Sequence, residues 1–201
     1  DRVVDRDGIV AAPRRERSLR RLLLPPACVL LGLLPIACDP AGSESVARSY
    51  WPRSAHQAYG HSLAQTRLTQ SALGRDWLAA AERALATPVA VTLPYRADAP
   101  FEAAAATAWG YRVAGRAGQR LVAEIRVTAA DRVEVFVDLF RLDGGNPVHV
   151  ASAVAPPIGP VAAPAQRLEW HVLEPADYIL RVQPELLRTG TVHVTLQAEA
   201  L

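Results

Sequence analysis

The sequence predicts a mainly β protein: an antiparallel β-sandwich or jelly roll of seven or eight strands, preceded by a helical segment. Three observations predict it. Before Pro88 the apolar residues recur every third or fourth position, and after it they recur every second position. Gly, Pro and Asp stand at the joints between the alternating runs. No interval between those runs is long enough for the crossover helices that a parallel sheet requires. On this reading the chain divides into residues 1–38, 39–52, 53–87 and 88–201.

The 201 residues are half hydrophobic, enough for one modest core with a small helical addition. The net charge of +2 gives no electrostatic case for nucleic acid. All 22 basic residues are Arg, and Met is absent even from position 1. Residues 1–13 are therefore expected to lie upstream of the true start, or to belong to a fragment, and carry no structural expectation. Both cysteines, Cys28 and Cys38, fall in the first fifth of the chain. A disulfide or cysteine-based metal site is accordingly not expected in residues 39–201.

Residues 1–38 end in an export signal. Arg14-Arg15-Glu16-Arg17-Ser18-Leu19-Arg20-Arg21 is a basic run, and an apolar stretch follows it up to Ala37-Cys38. The 16 residues between Arg21 and Cys38 contain Pro25, Pro26 and Pro35, which makes the run too short and too broken for a comfortable transmembrane helix. Leu34-Pro35-Ile36-Ala37-Cys38 resembles a bacterial lipobox, with Pro35 where Leu is usual. The resemblance implies that the Cys38 thiol carries diacylglycerol and becomes the new N-terminus after cleavage. Two or three acyl chains then give stable membrane attachment where one would not.

Residues 39–52 read as a polar linker. In the helical segment, Leu73, Trp77, Ala81 and Leu85 recur every fourth residue, with Leu78 and Ala84 widening the stripe. Thr69 or Ser71 is the expected N-cap, and Pro88 follows the end. An earlier, weaker helix is expected over Ala55–Leu68, carrying Tyr59 and Leu63 and interrupted by Gly60. The expected strands are centred on Val89–Leu93, Trp109–Val113, Leu121–Val127, Val133–Leu139, Val148–Val150, Leu168–Val172, Tyr178–Val182 and Val192–Leu196. Trp170, Tyr178, Leu180, Val182 and Val194 should face the core, and His171, Arg181 and His193 should not. Ala155–Ala165, with four prolines, cannot continue a ladder and reads as a connector.

The β part resembles the bacterial pre-peptidase C-terminal domain, a small sandwich attached to secreted peptidases. The resemblance lies in Tyr111-Arg112-Val113 leading to Gly118-Gln119-Arg120-Leu121, in Asp143-Gly144, in Leu168-Glu169-Trp170-His171-Val172, and in Ala176-Asp177-Tyr178-Ile179-Leu180-Arg181-Val182. Residues 56–201 also resemble the N-terminal region of exported proteins that continue into a lysostaphin-type zinc peptidoglycan endopeptidase. Ala72–Ala84, Val135–Phe140 and Tyr178–Arg188 carry that likeness.

Such a zinc site takes two imidazoles and a carboxylate from a His-x-x-x-Asp and a His-x-His. The five histidines here, His56, His61, His149, His171 and His193, include no His-x-His, and Gln65 stands four residues after His61. The expectation is a chain with no catalytic residues, metal ligands or cofactor of its own. His56 and His61 read as surface residues. His171 and His193 read as solvated, and would approach each other only if their strands paired. Asp143-Gly144-Gly145-Asn146 offers oxygen ligands for calcium, but a tight hairpin turn explains it with fewer assumptions. Trp77, Trp109 and Trp170 read as core or interface aromatics, and Trp51 lies in the linker.

The resulting expectation is an exported accessory domain, lipid-anchored on the periplasmic side of a bacterial envelope. It would be the N-terminal part of a peptidoglycan-hydrolysing metallopeptidase whose catalytic domain is missing from this chain. Its partners would be the membrane, a neighbouring peptidase domain and peptidoglycan. The alternative is a free-standing envelope lipoprotein that binds a glycan or protein partner.

Overall fold

The computed structural model describes residues 54–155 and 165–200. The export signal with Cys28 and Cys38, the linker with Trp51, and the prolines between residues 156 and 164 lie outside the described residues. What is described is mainly β: nine strands in two sheets, behind a short helical segment.

The helices are α1 (Ala55–Gln65) and α2 (Ala72–Ala86), with a 3-10 turn at Leu68–Gln70 between them. Ser54 caps α1 by accepting from Gln57 N, and Ser71 caps α2 by accepting from Gly74 N. The buried face of α2 is narrower than the sequence stripe. Gly74, Trp77, Ala80, Ala81 and Ala84 are buried, while Leu78 is exposed. Close approach explains this difference: a Cβ on Gly110 would stand 1.8 Å from the Ala84 carbonyl oxygen. Where the helix lies directly on the backbone at Gly110 only a small residue, Ala84, fits beneath it, while Trp77 packs beside Phe136 and Leu78 falls outside the buried face.

The strands are β1 (Val89–Ala90), β2 (Tyr95–Phe101), β3 (Trp109–Gly115), β4 (Gln119–Thr128), β5 (Val135–Asp143), β6 (Asn146–Ala155), β7 (Gln166–Val172), β8 (Ala176–Pro184) and β9 (Gly190–Ala200). They form a five-stranded sheet in the order β1-β3-β8-β5-β6 and a four-stranded sheet in the order β2-β9-β4-β7. Every ladder is antiparallel except the two-residue pairing of β1 with β3, which is parallel. Strand β2 is an addition to the expected set. Its inward face carries Tyr95, Ala97, Ala99 and Phe101; the two small residues at its centre weaken the alternation, and Pro94 and Pro100 read as breaks.

Between the sheets lies the main core. Tyr111, Val113, Leu121, Ile125, Val135, Val137, Leu139, Tyr178, Leu180, Val182, Val192 and Val194 all belong to it. Trp109 and Trp170 pack against it partly buried. Tyr178, Leu180, Val182 and Val194 thus face inward as their alternation requires. A second, smaller cluster of Leu63, Trp77 and Phe136 joins the helices to the outer face of the five-stranded sheet.

Candidate functional site

The two outer faces of the sandwich differ. That of the five-stranded sheet is covered in part by α1 and α2; that of the four-stranded sheet carries charged and hydroxylic side chains. Strand alternation explains both, because residues pointing away from the core must meet either water or another layer.

On the covered face, Gln183 of β8 is fully buried and fixes the helices to the sheet. Its Nε2 donates to the Trp77 carbonyl at 2.8 Å. Its Oε1 is therefore free to accept from His56 Nε2, at 2.6 Å. The Trp77 indole N–H donates to the Pro184 carbonyl at 2.9 Å, and Leu186 N donates to the Tyr59 hydroxyl at 3.1 Å. His56 stacks on Trp77 with ring centres 4.6 Å apart and meets Phe136 edge-on at 5.9 Å.

The expected surface position of His56 is thereby corrected. The ring is buried, because the capped start of α1 turns it toward Gln183 rather than toward water. Burial first, and the nearby Arg181 charge second, lower its pKa to about 4. His61 remains on the exposed side of the same helix, near Gln65 at 3.0 Å.

One position along the sheet, Arg181 and Asp138 form a buried ion pair at 2.6 Å. The Arg181 guanidinium also lies over Phe140, 5.1 Å from the ring centre. His149 approaches the other Asp138 oxygen at 3.2 Å. Arg181 does point away from the sandwich core, but it is buried on the far side instead of solvated. Alternation sets the direction of a side chain and says nothing of a second layer.

On the four-stranded sheet the outward residues form rows across the strands. Asp98 of β2, His193 of β9 and Arg126 of β4 lie side by side, and Arg96, Thr195, Glu124 and Arg167 form the next row. His193 Nδ1 donates to Asp98 at 2.7 Å, which leaves Nε2 to accept from the Thr128 hydroxyl at 3.1 Å in the neutral ring. Farther along, Arg120 binds Glu169 at 3.1 Å and also Glu199. Arg167 reaches Glu169 at 2.6 Å, Glu199 at 3.2 Å and Glu124 at 3.7 Å. The hydrogen bond from Arg120 holds the Glu199 carboxyl below the ordinary carboxylate range.

His171 and His193 are not brought together. Strand β4 separates β7 from β9, with His171 opposite Arg120 and His193 opposite Arg126. Their approach, conceived for paired strands, does not occur. Asp143-Gly144-Gly145-Asn146 is the two-residue hairpin between β5 and β6. Both glycines have positive φ, 56° and 87°, the backbone that such a turn requires. Among the described residues no group of three or more His, Cys, Asp or Glu is placed to hold a metal ion, and no helix is long and apolar enough to cross a membrane. The Asp98–His193–Thr128 arrangement escaped the sequence reading. Its members stand 30 and 65 residues apart, and only the β2–β9–β4 register assembles them.

No protein-family model matches this chain, and neither does any curated protein. Among solved structures it is similar to PliG of Aeromonas hydrophila, a periplasmic inhibitor of g-type lysozyme, at 12% identity and a TM-score of 0.37. That match covers 55% of this chain and 96% of the other. It is also similar to the pre-peptidase C-terminal domain of a Bacillus anthracis collagenase, at 15% identity and a TM-score of 0.34, covering 55% of this chain and 92% of that one.

Proposed function

We propose that this chain is a non-catalytic accessory domain of a lipid-anchored cell-envelope protein, the N-terminal part of a peptidoglycan-hydrolysing metallopeptidase. Its task is placement. The observation that carries this reading is the clamp formed by His56, Tyr59, Trp77 and Gln183. The helices that follow the linker are fastened by buried hydrogen bonds to the strand and loop at Gln183–Leu186. Helices and sheet therefore move as one body, and a tether at the helical end positions the whole sandwich.

The 16 residue-to-residue steps from Cys38 to Ser54 reach at most about 55 Å when fully extended. An acylated Cys38 would confine the sandwich within that distance of a membrane. A neighbouring catalytic domain would then act within a defined layer of the envelope. The sandwich contributes rigidity and spacing, and the chemistry is supplied elsewhere.

The open face of the four-stranded sheet favours a second reading, a free-standing lipoprotein that binds a glycan or a protein. One experiment tests the proposal. The full chain is produced in a bacterial host fed a palmitate analogue, then purified and incubated with peptidoglycan. The expected result is label on the wild type and none on Cys38→Ser, with no muropeptide release by either, with or without zinc. Equal labelling of the two proteins, or chelator-sensitive release of muropeptides, would overturn it.

A further inference from the structure

Three successive rows cross the outer face of the five-stranded sheet. The first sets Phe136 beside Gln183 and Val154, the second Asp138 beside Arg181 and Ser152, the third Phe140 beside Ile179 and His149. The helices lie over the first row: His56 and Trp77 bond to Gln183, and Ala55 and Leu63 pack at the Phe136 cluster. The third row is buried as deeply, with Ile179 1% and Phe140 8% exposed, yet these two residues belong neither to the inter-sheet core nor to the helix cluster. The Arg181 guanidinium and the His149 ring pack on Phe140, whereas Arg112, opposite Ile179, is drawn to Asp177. In the second row the buried Nε of Arg181 has no hydrogen-bond acceptor among the described residues. A buried apolar pair that points outward, beside a buried donor without an acceptor, requires a further layer above it.

The direction of α1 identifies the segment that supplies this layer. Strand β8 and the loop after it pass Ile179, Arg181, Gln183 and Leu186 in turn. His56 meets Gln183, and Tyr59, farther along the helix, meets the backbone N–H of Leu186. Helix α1 therefore runs away from Ile179, and the chain preceding Ser54 comes in from the Ile179 side. The third row lies four residues from the first, about 13 Å along the strands. Tyr50 and Trp51 stand four and three positions before Ser54, a reach of about 10–14 Å in extended chain. They are the aromatic residues of the linker, which lies outside the described residues.

We propose that Tyr50 and Trp51 dock on the face formed by Phe140 and Ile179, and that a backbone carbonyl of the same segment accepts from the Arg181 Nε–H. The end of the linker is then a strap that continues the layer begun by α1. Aromatic rings suit a surface made of an isoleucine, a phenylalanine and a guanidinium, since they bury apolar area and stack on the cation without adding a charge. The site stands independently of the accessory-domain reading, because it concerns the linker whatever the N-terminus carries. For an acylated Cys38 the free span then runs only to Tyr50, at most about 41 Å.

Arg48 and Arg53 flank the aromatic pair and report its state. The full chain, in detergent, is digested briefly with trypsin, wild type beside Tyr50→Ser/Trp51→Ser. Cleavage after Arg48 and Arg53 should be slow in the wild type and about tenfold faster in the double variant, while cleavage after Arg75 in α2 stays equal and reports an intact fold. Equal rates at both linker arginines would overturn the docking. A second measurement locates it without touching the face: a benzophenone-bearing amino acid replaces Trp51 in the full chain, and crosslinked peptides are mapped after illumination. The expected crosslinks join position 51 to the segments around Phe140 or Ile179 of the same chain. Absence of crosslinks, or crosslinks confined to other segments, would overturn the site. Crosslinks between differently labelled copies would assign the face to a second chain and overturn it as well.

Discussion

His56 shows most clearly how one side chain depends on its surroundings. Gln183 can only accept from a protonated Nε2, because its own amide N–H is committed to the Trp77 carbonyl; that bond favours the charged ring, and burial outweighs it. The folded pKa of about 4 lies below the unfolded value of 6.5. Between those values the unfolded chain takes up a proton that the folded chain refuses, so stability falls as pH drops from 6.5 towards 4 and levels off below. The loss is on the order of 3 kcal/mol. Urea unfolding across this range should show that slope in the wild type and lose this contribution in His56→Gln. An identical pH dependence in both would refute the assignment. The sequence could not reveal this site, since the ring's partner is 127 residues away.

Leu180 and His193 test the phase of the strands. Leu180 is buried in the main core, and its replacement by Ala should cost on the order of 2–5 kcal/mol through lost contacts and a cavity. The His193 side chain is 41% exposed and bonded only to exposed groups, so His193→Ala should cost within about 0.5 kcal/mol. Denaturant midpoints for the two variants measure the difference, and equal losses would contradict the strand phase.

At the scale of elements, legibility followed side-chain size. Strands rich in Val, Leu and Ile announced themselves by alternation, as did the change of period at Pro88. Strand β2 did not, because between Tyr95 and Phe101 only Ala97 and Ala99 continue the alternation and Pro100 interrupts it. The buried face of α2 was read too broadly for a related reason. Sequence periodicity finds large apolar residues such as Trp77, but where a helix touches a strand backbone it needs small ones. Gly110 is the point of contact, and any side chain there collides with the Ala84 carbonyl. Gly110→Val should lift α2 from the sheet while leaving the inter-sheet core in place. Limited proteolysis measures this: cleavage at Arg67 and Arg75 should accelerate, while the sandwich remains as a resistant fragment. Unchanged cleavage at those two arginines would show that the helix does not depend on this approach.

For the whole molecule, the fold class was legible and the arrangement of strands was not. Alternation identifies a strand and its inward face, but pairing is decided by packing between distant segments. The candidate site is a product of that pairing. Arg96, Arg126 and His193 come from three strands, and nothing in their spacing along the chain announces that β9 lies between the other two.

The last two strands each occupy an inner position in their own sheet, β8 between β3 and β5 and β9 between β2 and β4. They also supply Gln183 and Pro184, the anchors of the helices. A polypeptide emerging from its N-terminus therefore possesses seven strands and two helices before it has the pair that joins them. Neither sheet can close until residues 176–200 are present, and contacts spanning more than 100 residues form slowly. Among the described residues, the segment that lets both sheets close is therefore the last to be synthesised, and the strands before it wait for their central partners.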